Sequence, residues 1–204
     1  MTPWDLFFKE KITKIFSERR TVIDIGGGLR VLKGRGNRYD PKRAWIAPYF
    51  KEVDYKILDP VPDFNPDIVG DIHHLPFGDA SQEAILCLAV LEHVENPTQA
   101  FQEMFRVLKP GGYCFIYVPF LFYYHAEVGY YKDYWRFSED AIRHLSRDFS
   151  RVEFQNVRGA LETWLHISPL GRIGILRAIC RLLDRTFGKS QSKQTSGYYA
   201  FLEK

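Results

Sequence analysis

Thr21-Val22-Ile23-Asp24-Ile25-Gly26-Gly27-Gly28 is the stretch that decides the architecture. Its β-branched run reads as a buried parallel strand, because strands covered on both faces are continuously apolar instead of alternating. The run stops at consecutive glycines, which let the backbone turn sharply and let a ligand approach closely, with amides free to hold a carboxylate or phosphate. As the start of the dinucleotide fingerprint G-x-G-x-x-G, Gly26 would require glycine at position 31, where the chain has Val31. NAD and FAD are therefore disfavoured.

Outward from this turn, strands and helices alternate. Upstream, Thr2-Pro3 is a helix-start pair, and Leu6, Phe7, Ile12, Ile15 and Phe16 recur at helical spacing, predicting a leading helix within residues 1–20. Downstream, 30–40 holds Gly34, Gly36 and Asn37 and reads as a loop, with a short helix beginning near Pro41. Strands are predicted over 55–58, 67–69, 84–90, 113–118, 151–157 and 198–202. Helices are predicted from Pro97 to Leu108, stopped by Lys109-Pro110-Gly111-Gly112, and from the cap Ser138 to about Leu145. This order predicts one α/β domain over 1–204: a mostly parallel seven-stranded sheet with an antiparallel last strand and helices on both faces. In such sheets ligands bind beyond the carboxyl ends of the strands.

Composition narrows the function. Hydrophobic residues make up 46% and charged residues 26%, close to the globular average, which excludes disordered and fibrous classes. A net charge of +3 is too small to make nucleic acid the partner of the whole chain. Local basic blocks, Arg30 to Arg43 and Arg172 to Lys193, read first as solvated faces. Cys87, Cys114 and Cys180 form no C-x-x-C pair, and no apolar stretch suits a signal peptide or a membrane span, so a reducing cytoplasm is the expected home.

Two further acids follow the glycine turn. Asp59 ends the second strand, where a carboxylate accepts both ribose hydroxyls of an adenosine; a turn-forming Asp before Pro60 explains it equally well. Asp71, just past the third strand, is placed to accept from an adenine amino group while the next backbone amide reads the ring. Together, these acids and the turn are spaced to hold one adenosine-containing amino acid.

The series Asp24-Ile25-Gly26-Gly27-Gly28, Asp59, Asp71 with Leu75-Pro76-Phe77, Leu91-Glu92-His93-Val94 and Leu108-Lys109-Pro110-Gly111-Gly112 resembles the class I S-adenosylmethionine-dependent methyltransferases of the type 11 family. The resemblance covers roughly 20–157. It implies a Rossmann-like methyltransferase fold with S-adenosylmethionine as cofactor: its methionine portion on Asp24, Gly26 and Gly28, its ribose on Asp59, its adenine on Asp71 and the Ile72 backbone. Leu88 and Ala89 would lie beside the sulfonium and amino group. The chain departs from the family where Arg30 replaces a third glycine and where the following segment is long and basic. Arg30 reads as a solvent-facing loop residue, with pairing to the cofactor carboxylate as the alternative.

In the same family the segment 119–137 lies over the methyl group. His125 is the side chain suited to take a hydroxyl proton near neutral pH, Glu127 or Asp133 would orient it or take the proton, and Arg136 would hold an acceptor anion. Tyr130, Tyr134 and Trp135 would stack on a ring or sugar face. The competing structural reading makes Tyr134, Trp135 and Phe137 an apolar staple before the Ser138 helix, and Asp133 with Arg136 a loop ion pair. No metal site is read: His73 and His74 lack a carboxylate at ligand spacing, and Glu92-His93 is taken to border the cofactor pocket.

A helical insertion is predicted over 161–196. Ile173, Leu176, Ile179, Leu183 and Phe187 at helical spacing, with Arg177, Arg181 and Arg185, make a basic amphipathic helix that packs on the domain, joins a dimer, or touches a membrane through 168–189. The leading expectation is a methyltransferase acting on a small-molecule or glycan-type acceptor, on oxygen, as a monomer or homodimer. The alternative is a catalytically silent methyltransferase-like module that binds a partner through the basic tail helix. An RNA methyltransferase fits the Arg30 to Arg43 block but not the modest net charge.

Overall fold

Alternate residues of one short strand serve two cores. On β1 (Thr21–Ile25), Val22 packs on one side of the sheet and Ile23 and Ile25 on the other. β4 (Gln82–Leu88) repeats this, with Ala84, Leu86 and Leu88 on the first side and Ile85 and Cys87 on the second. The buried parts of both strands are therefore mainly apolar, as expected of parallel strands covered on both faces, with Asp24 the buried exception on β1. The computed structural model describes residues 1–35 and 38–204; Gly36 and Asn37 of the expected loop lie outside the described residues.

The remaining strands are β2 (Asp54–Asp59), β3 (Ile68–Val69), β5 (Leu108–Pro119), β6 (Arg151–Val157) and β7 (Gly197–Glu203). They form a seven-stranded sheet in the order β3-β2-β1-β4-β5-β7-β6, parallel from β3 to β5, with β7 antiparallel to both β5 and β6. This is the Rossmann-like methyltransferase topology expected from the sequence. Boundaries move by one or two residues, the strand expected over 84–90 running from Gln82 to Leu88, and the helix stop at Lys109-Pro110-Gly111-Gly112 is absorbed into β5 as an irregularity, the pairing shifting from Gln82 with Leu108 to Ala84 with Tyr113.

Helix α1 (Pro3–Glu18) starts at a capping box: Asp5 N donates to the Thr2 hydroxyl, and Thr2 N donates to the Asp5 carboxylate. Its Phe8, Ile12, Ile15 and Phe16 cover one face with Phe115 and Phe201. Helix α2 (Pro97–Val107), capped by Asn96, covers the other with Phe101, Met104 and Val107. Helix α3 (Glu139–Leu145) begins at the Ser138 cap, as expected.

Between β6 and β7 lie α4 (Ala160–Ile167) and α5 (Gly174–Thr186). The buried Asp184 carboxylate of α5 accepts from Leu161 N at 2.9 Å and Glu162 N at 3.0 Å, satisfying the first amides of α4. Glu162 in turn binds Arg181. Of the expected apolar stripe, Ile173, Ile179 and Leu183 are exposed, as is Phe187 just past the end of α5, while Leu176 is half-buried; Ile175 on α5 and Trp164 on α4 are exposed beside it. Among the described residues no helix is long and apolar enough to cross a membrane.

Candidate active site

A cavity of about 1360 Å³ opens beyond the carboxyl ends of β1, β2, β4 and β5. Its first wall is the glycine turn. Gly26 faces the cavity with φ +73°, and a Cβ there would come within 2.5 Å of Val90 Cγ2. Gly28 lies behind it, where a Cβ would meet the Leu88 carbonyl oxygen at 2.3 Å. Gly28 and Leu88 therefore set the closeness of the turn to β4 and do not line the cavity. Asp24 also stands behind the wall: fully buried, its Oδ2 accepts from Leu29 N at 2.9 Å and from the Tyr55 hydroxyl at 2.6 Å. Burial pushes its pKa up to about 6. Of the three residues expected to hold a methionine portion, only Gly26 reaches the cavity surface, because Asp24 and Gly28 are used in shaping the loop.

Arg30 lines the cavity, contrary to the expected solvent-facing position. Its left-handed backbone, φ 57°, turns the side chain inward. No side-chain hydrogen bond or ion pair holds it among the described residues, and burial followed by the nearby Arg43 and Arg38 charges lowers its pKa. Arg43 itself donates to Gly28 O at 2.6 Å and Leu29 O at 3.2 Å, tying the turn.

On the adjoining wall stand Asp59, Asp71 and Ile72. Asp59 Oδ1 accepts from Val61 N at 2.8 Å, and burial raises its pKa. Asp71 Oδ1 accepts from His73 N at 2.9 Å and lies 2.7 Å from His73 Nδ1. Ala89 lines the cavity with φ 57°, a conformation costly for a residue with a Cβ and concentrated at functional sites.

Segment 119–137 closes the far side, locked from behind. Asp133, whose side chain is fully buried, receives Arg136 Nη1 at 2.5 Å, Arg136 Nη2 at 2.7 Å and His125 N at 2.8 Å. The Arg136 guanidinium holds the Asp133 carboxyl down at about 2. Arg136 donates further to Tyr123 O at 2.8 Å and Trp135 O at 2.7 Å. Arg136 was expected to hold an acceptor anion and Asp133 to orient His125 or take a proton; neither lines the cavity, since they form the loop ion pair of the competing reading, and Asp133 Oδ2 stands behind the His125 ring, 3.3 Å from Nδ1. Trp135 is likewise structural, its indole N–H donating to Val94 O at 2.8 Å.

Glu127, Tyr130 and Tyr134 do face the cavity. Glu127 accepts from the Tyr131 hydroxyl at 2.9 Å. Tyr130 stacks on Phe64 with centroids 5.1 Å apart, closing one side of the mouth. The Tyr134 hydroxyl donates to Glu95 at 2.7 Å.

His125 meets a residue that sequence reasoning placed only at the border. Glu92 is 1% exposed, and neither carboxylate oxygen has a hydrogen-bond partner among the described residues. His125 Nε2 lies 3.5 Å from Glu92 Oε1, and His93 Nε2 lies 3.9 Å from the same atom. These spacings suit charge attraction and exceed a strong hydrogen bond. The other ring nitrogens are anchored: His125 Nδ1 is 3.0 Å from Tyr123 O, and His93 Nδ1 is 2.6 Å from Lys132 O. Glu92, then the Tyr123 carbonyl and Asp133, raise the His125 pKa against the opposing effect of burial. Sequence spacing signals Glu92-His93 as a border of the cofactor pocket or the start of a short helical turn; what brings His125 to it is the chain reversal locked by Asp133.

A family model described as a methyltransferase domain matches residues 51–116. The chain is 26% identical over 182 residues to a ubiquinone/menaquinone biosynthesis C-methyltransferase of Bartonella quintana, covering 69% of this chain and 68% of that protein. Its fold is similar to a SAM-dependent methyltransferase from Archaeoglobus fulgidus, with TM-score 0.61 and 12% identity over 97% of this chain and 92% of the other. It is also similar to the Burkholderia thailandensis 1,6-didemethyltoxoflavin-N1-methyltransferase solved with S-adenosylhomocysteine, with TM-score 0.56 and 14% identity over 96% and 75% of the two chains.

Proposed function

We propose that this chain, an S-adenosylmethionine-dependent methyltransferase, moves the cofactor's methyl group to a hydroxylated ring bound against the Glu92–His125 pair. The observation that carries this reading is the buried Glu92 carboxylate without a hydrogen-bond partner, 3.5 Å from His125 Nε2 and on the wall of a cavity that also contains Gly26, Asp59 and Asp71.

The cavity's first half suits the cofactor. A turn in which Gly26 has no room for a Cβ admits close backbone approach, and Asp59 and Asp71 offer carboxylates that would accept from a ribose diol and an adenine amino group. Ile72 and Ala89 complete that side, and Arg30 stands where a carboxylate would neutralise it. The bound cofactor supplies a methyl group already activated on a sulfonium.

The second half suits a flat ring. Phe64, Tyr117, Phe122, Tyr123, Tyr130 and Tyr131 line it, offering stacking faces. A ring hydroxyl at His125 Nε2 would give its proton to the imidazole, which Glu92 stabilises as a cation. Negative charge left on the ring spreads over oxygen and the neighbouring carbons. A ring carbon then takes the methyl carbon as the carbon–sulfur bond breaks, and that carbon's hydrogen leaves as a proton.

The relative is named a C-methyltransferase of ubiquinone and menaquinone biosynthesis, so the glycan acceptor and the oxygen atom expected from sequence draw no support and are replaced in this proposal by a hydroxylated ring and its carbon. The silent-module alternative draws no support either. The exposed apolar stripe of Ile175, Ile179 and Phe187, flanked by Arg172 and Arg185, adds a surface suited to an anionic membrane, from which a lipid-soluble ring would enter.

The test is incubation with cofactor carrying a ¹³C methyl group and a panel of dihydroxyaromatic compounds, quinols and sugars. New methyl carbon on a ring is the expected result by NMR. Methyl signals confined to sugar oxygens would overturn the acceptor class.

A further inference from the structure

We infer that Glu92, His93 and His125 form a binding site for a divalent transition-metal cation on the cavity wall. Their ligand atoms all lie within 4.8 Å of one another. Glu92 supplies the second, independent observation: a carboxylate 1% exposed, aimed into the group, with both oxygens lacking a hydrogen-bond donor. Leaving such a group without compensation is expensive, which calls for a partner of positive charge.

The hydrogen bonds around the two rings decide what that partner is. His93 Nδ1 faces Lys132 O and His125 Nδ1 faces Tyr123 O. A carbonyl only accepts, so each Nδ1 carries the proton, and in the neutral ring, the form that binds a cation, each Nε2 presents a lone pair. Both lone pairs converge on the Glu92 carboxylate at 3.5 and 3.9 Å. Three acceptors thus point at one another. An imidazole whose far nitrogen donates to a backbone carbonyl is the common arrangement of a metal-ligating histidine. A cation about 2.1 Å from each donor would hold donors roughly 3 to 3.5 Å apart, so the three ligand atoms, all within 4.8 Å of one another, would draw together by on the order of an ångström. Two imidazoles and a carboxylate favour Mn(II), Fe(II) or Zn(II) over Mg(II) and leave positions open toward the cavity.

The inference rests on reading this end of the cavity as the acceptor side, and it changes one role. With the cation bound, His125 is a ligand instead of a base. The ring hydroxyl binds the cation, its O–H proton passes to solvent, and the bond's electron pair remains on the ring for attack on the methyl carbon.

Calorimetric titration of chelator-stripped protein with MnCl₂ and with ZnCl₂ tests the site directly, without an acceptor. One cation per chain is expected, with affinity weakened on the order of 10- to 100-fold in Glu92→Gln and in His93→Gln. S-adenosylhomocysteine binding by both variants reports that they are folded and that the cofactor side stands apart from the metal side. No metal binding by the wild type, or binding that neither folded variant changes, would overturn the site while leaving the methyltransferase reading intact. His93→Gln separates the two roles: it removes a ligand yet leaves a His125 base in place. Turnover restored to His93→Gln by raised Mn(II) supports the cation, and full metal-independent turnover opposes it.

Discussion

The backbone amide of His125 donates to the buried carboxylate of Asp133 at 2.8 Å, the same group that receives both terminal nitrogens of Arg136. One side chain thus fixes a loop reversal and delivers the His125 ring to Glu92. Asp133 and Arg136 are positioning residues, and what they position is the cavity wall.

Arg136→Ala should destabilise the fold by about 3 kcal/mol, because it leaves the Asp133 carboxylate buried and without its cation. Thermal unfolding checks the stability, and the fall in turnover should exceed that of a variant equally destabilised elsewhere. Unchanged stability and turnover would show that the lock is not needed.

His125→Ala should leave S-adenosylmethionine affinity close to wild type while lowering turnover on the order of 10² to 10⁴-fold. Steady-state kinetics with separate cofactor titration distinguishes this from loss of the fold. Full activity would remove His125 from the reaction.

Asp59→Ala should weaken cofactor binding by about 1 to 3 kcal/mol through loss of a charged hydrogen-bond acceptor. Calorimetry reads the change, and equal affinity would place the ribose elsewhere.

Stability should carry a pH signature from Asp24. Its pKa is raised by burial to about 6 from 3.8, so between those values the folded chain holds a proton that the unfolded chain has released. This contribution is full below 3.8 and is lost as pH rises toward 6. Asp24→Asn removes the titration while keeping an oxygen for Leu29 N and Tyr55. The stability difference between wild type and variant should therefore shift against wild type from pH 4 to pH 7. Parallel pH profiles would mean that Asp24 ionises normally.

The α4–α5 surface is tested by sedimentation with vesicles. Binding to phosphatidylcholine vesicles containing phosphatidylglycerol, little binding to phosphatidylcholine alone, and loss of both in Ile175→Ser with Ile179→Ser are expected. No binding to anionic vesicles would oppose the membrane contact.

The cofactor half was far more legible in sequence than the acceptor half, for a physical reason. The glycine turn, Asp59 and Asp71 each sit at the end of a strand, so local periodicity places them on one edge of the sheet. Glu92 and His125 come from separate segments, and their meeting depends on Asp133 and Arg136 folding the chain back. Sequence left Arg136 open between an acceptor ligand and a loop ion pair with Asp133, because a charged pair in an aromatic loop carries the same residue types whether it faces inward or outward; the ion pair is what forms. Arg30 was misplaced because its inward direction follows from a left-handed backbone that the loop imposes. The exposed stripe of α5 has the helical spacing of a packed face; Asp184 and Arg181 instead hold α5 to α4 through polar contacts.

The central claim is the cofactor, and calorimetric titration with S-adenosylmethionine, its demethylated product and NAD in parallel tests it most directly. Saturable binding of the first two, one per chain, with none for NAD is the expected result. Binding of NAD with no binding of S-adenosylmethionine or its product would contradict the account.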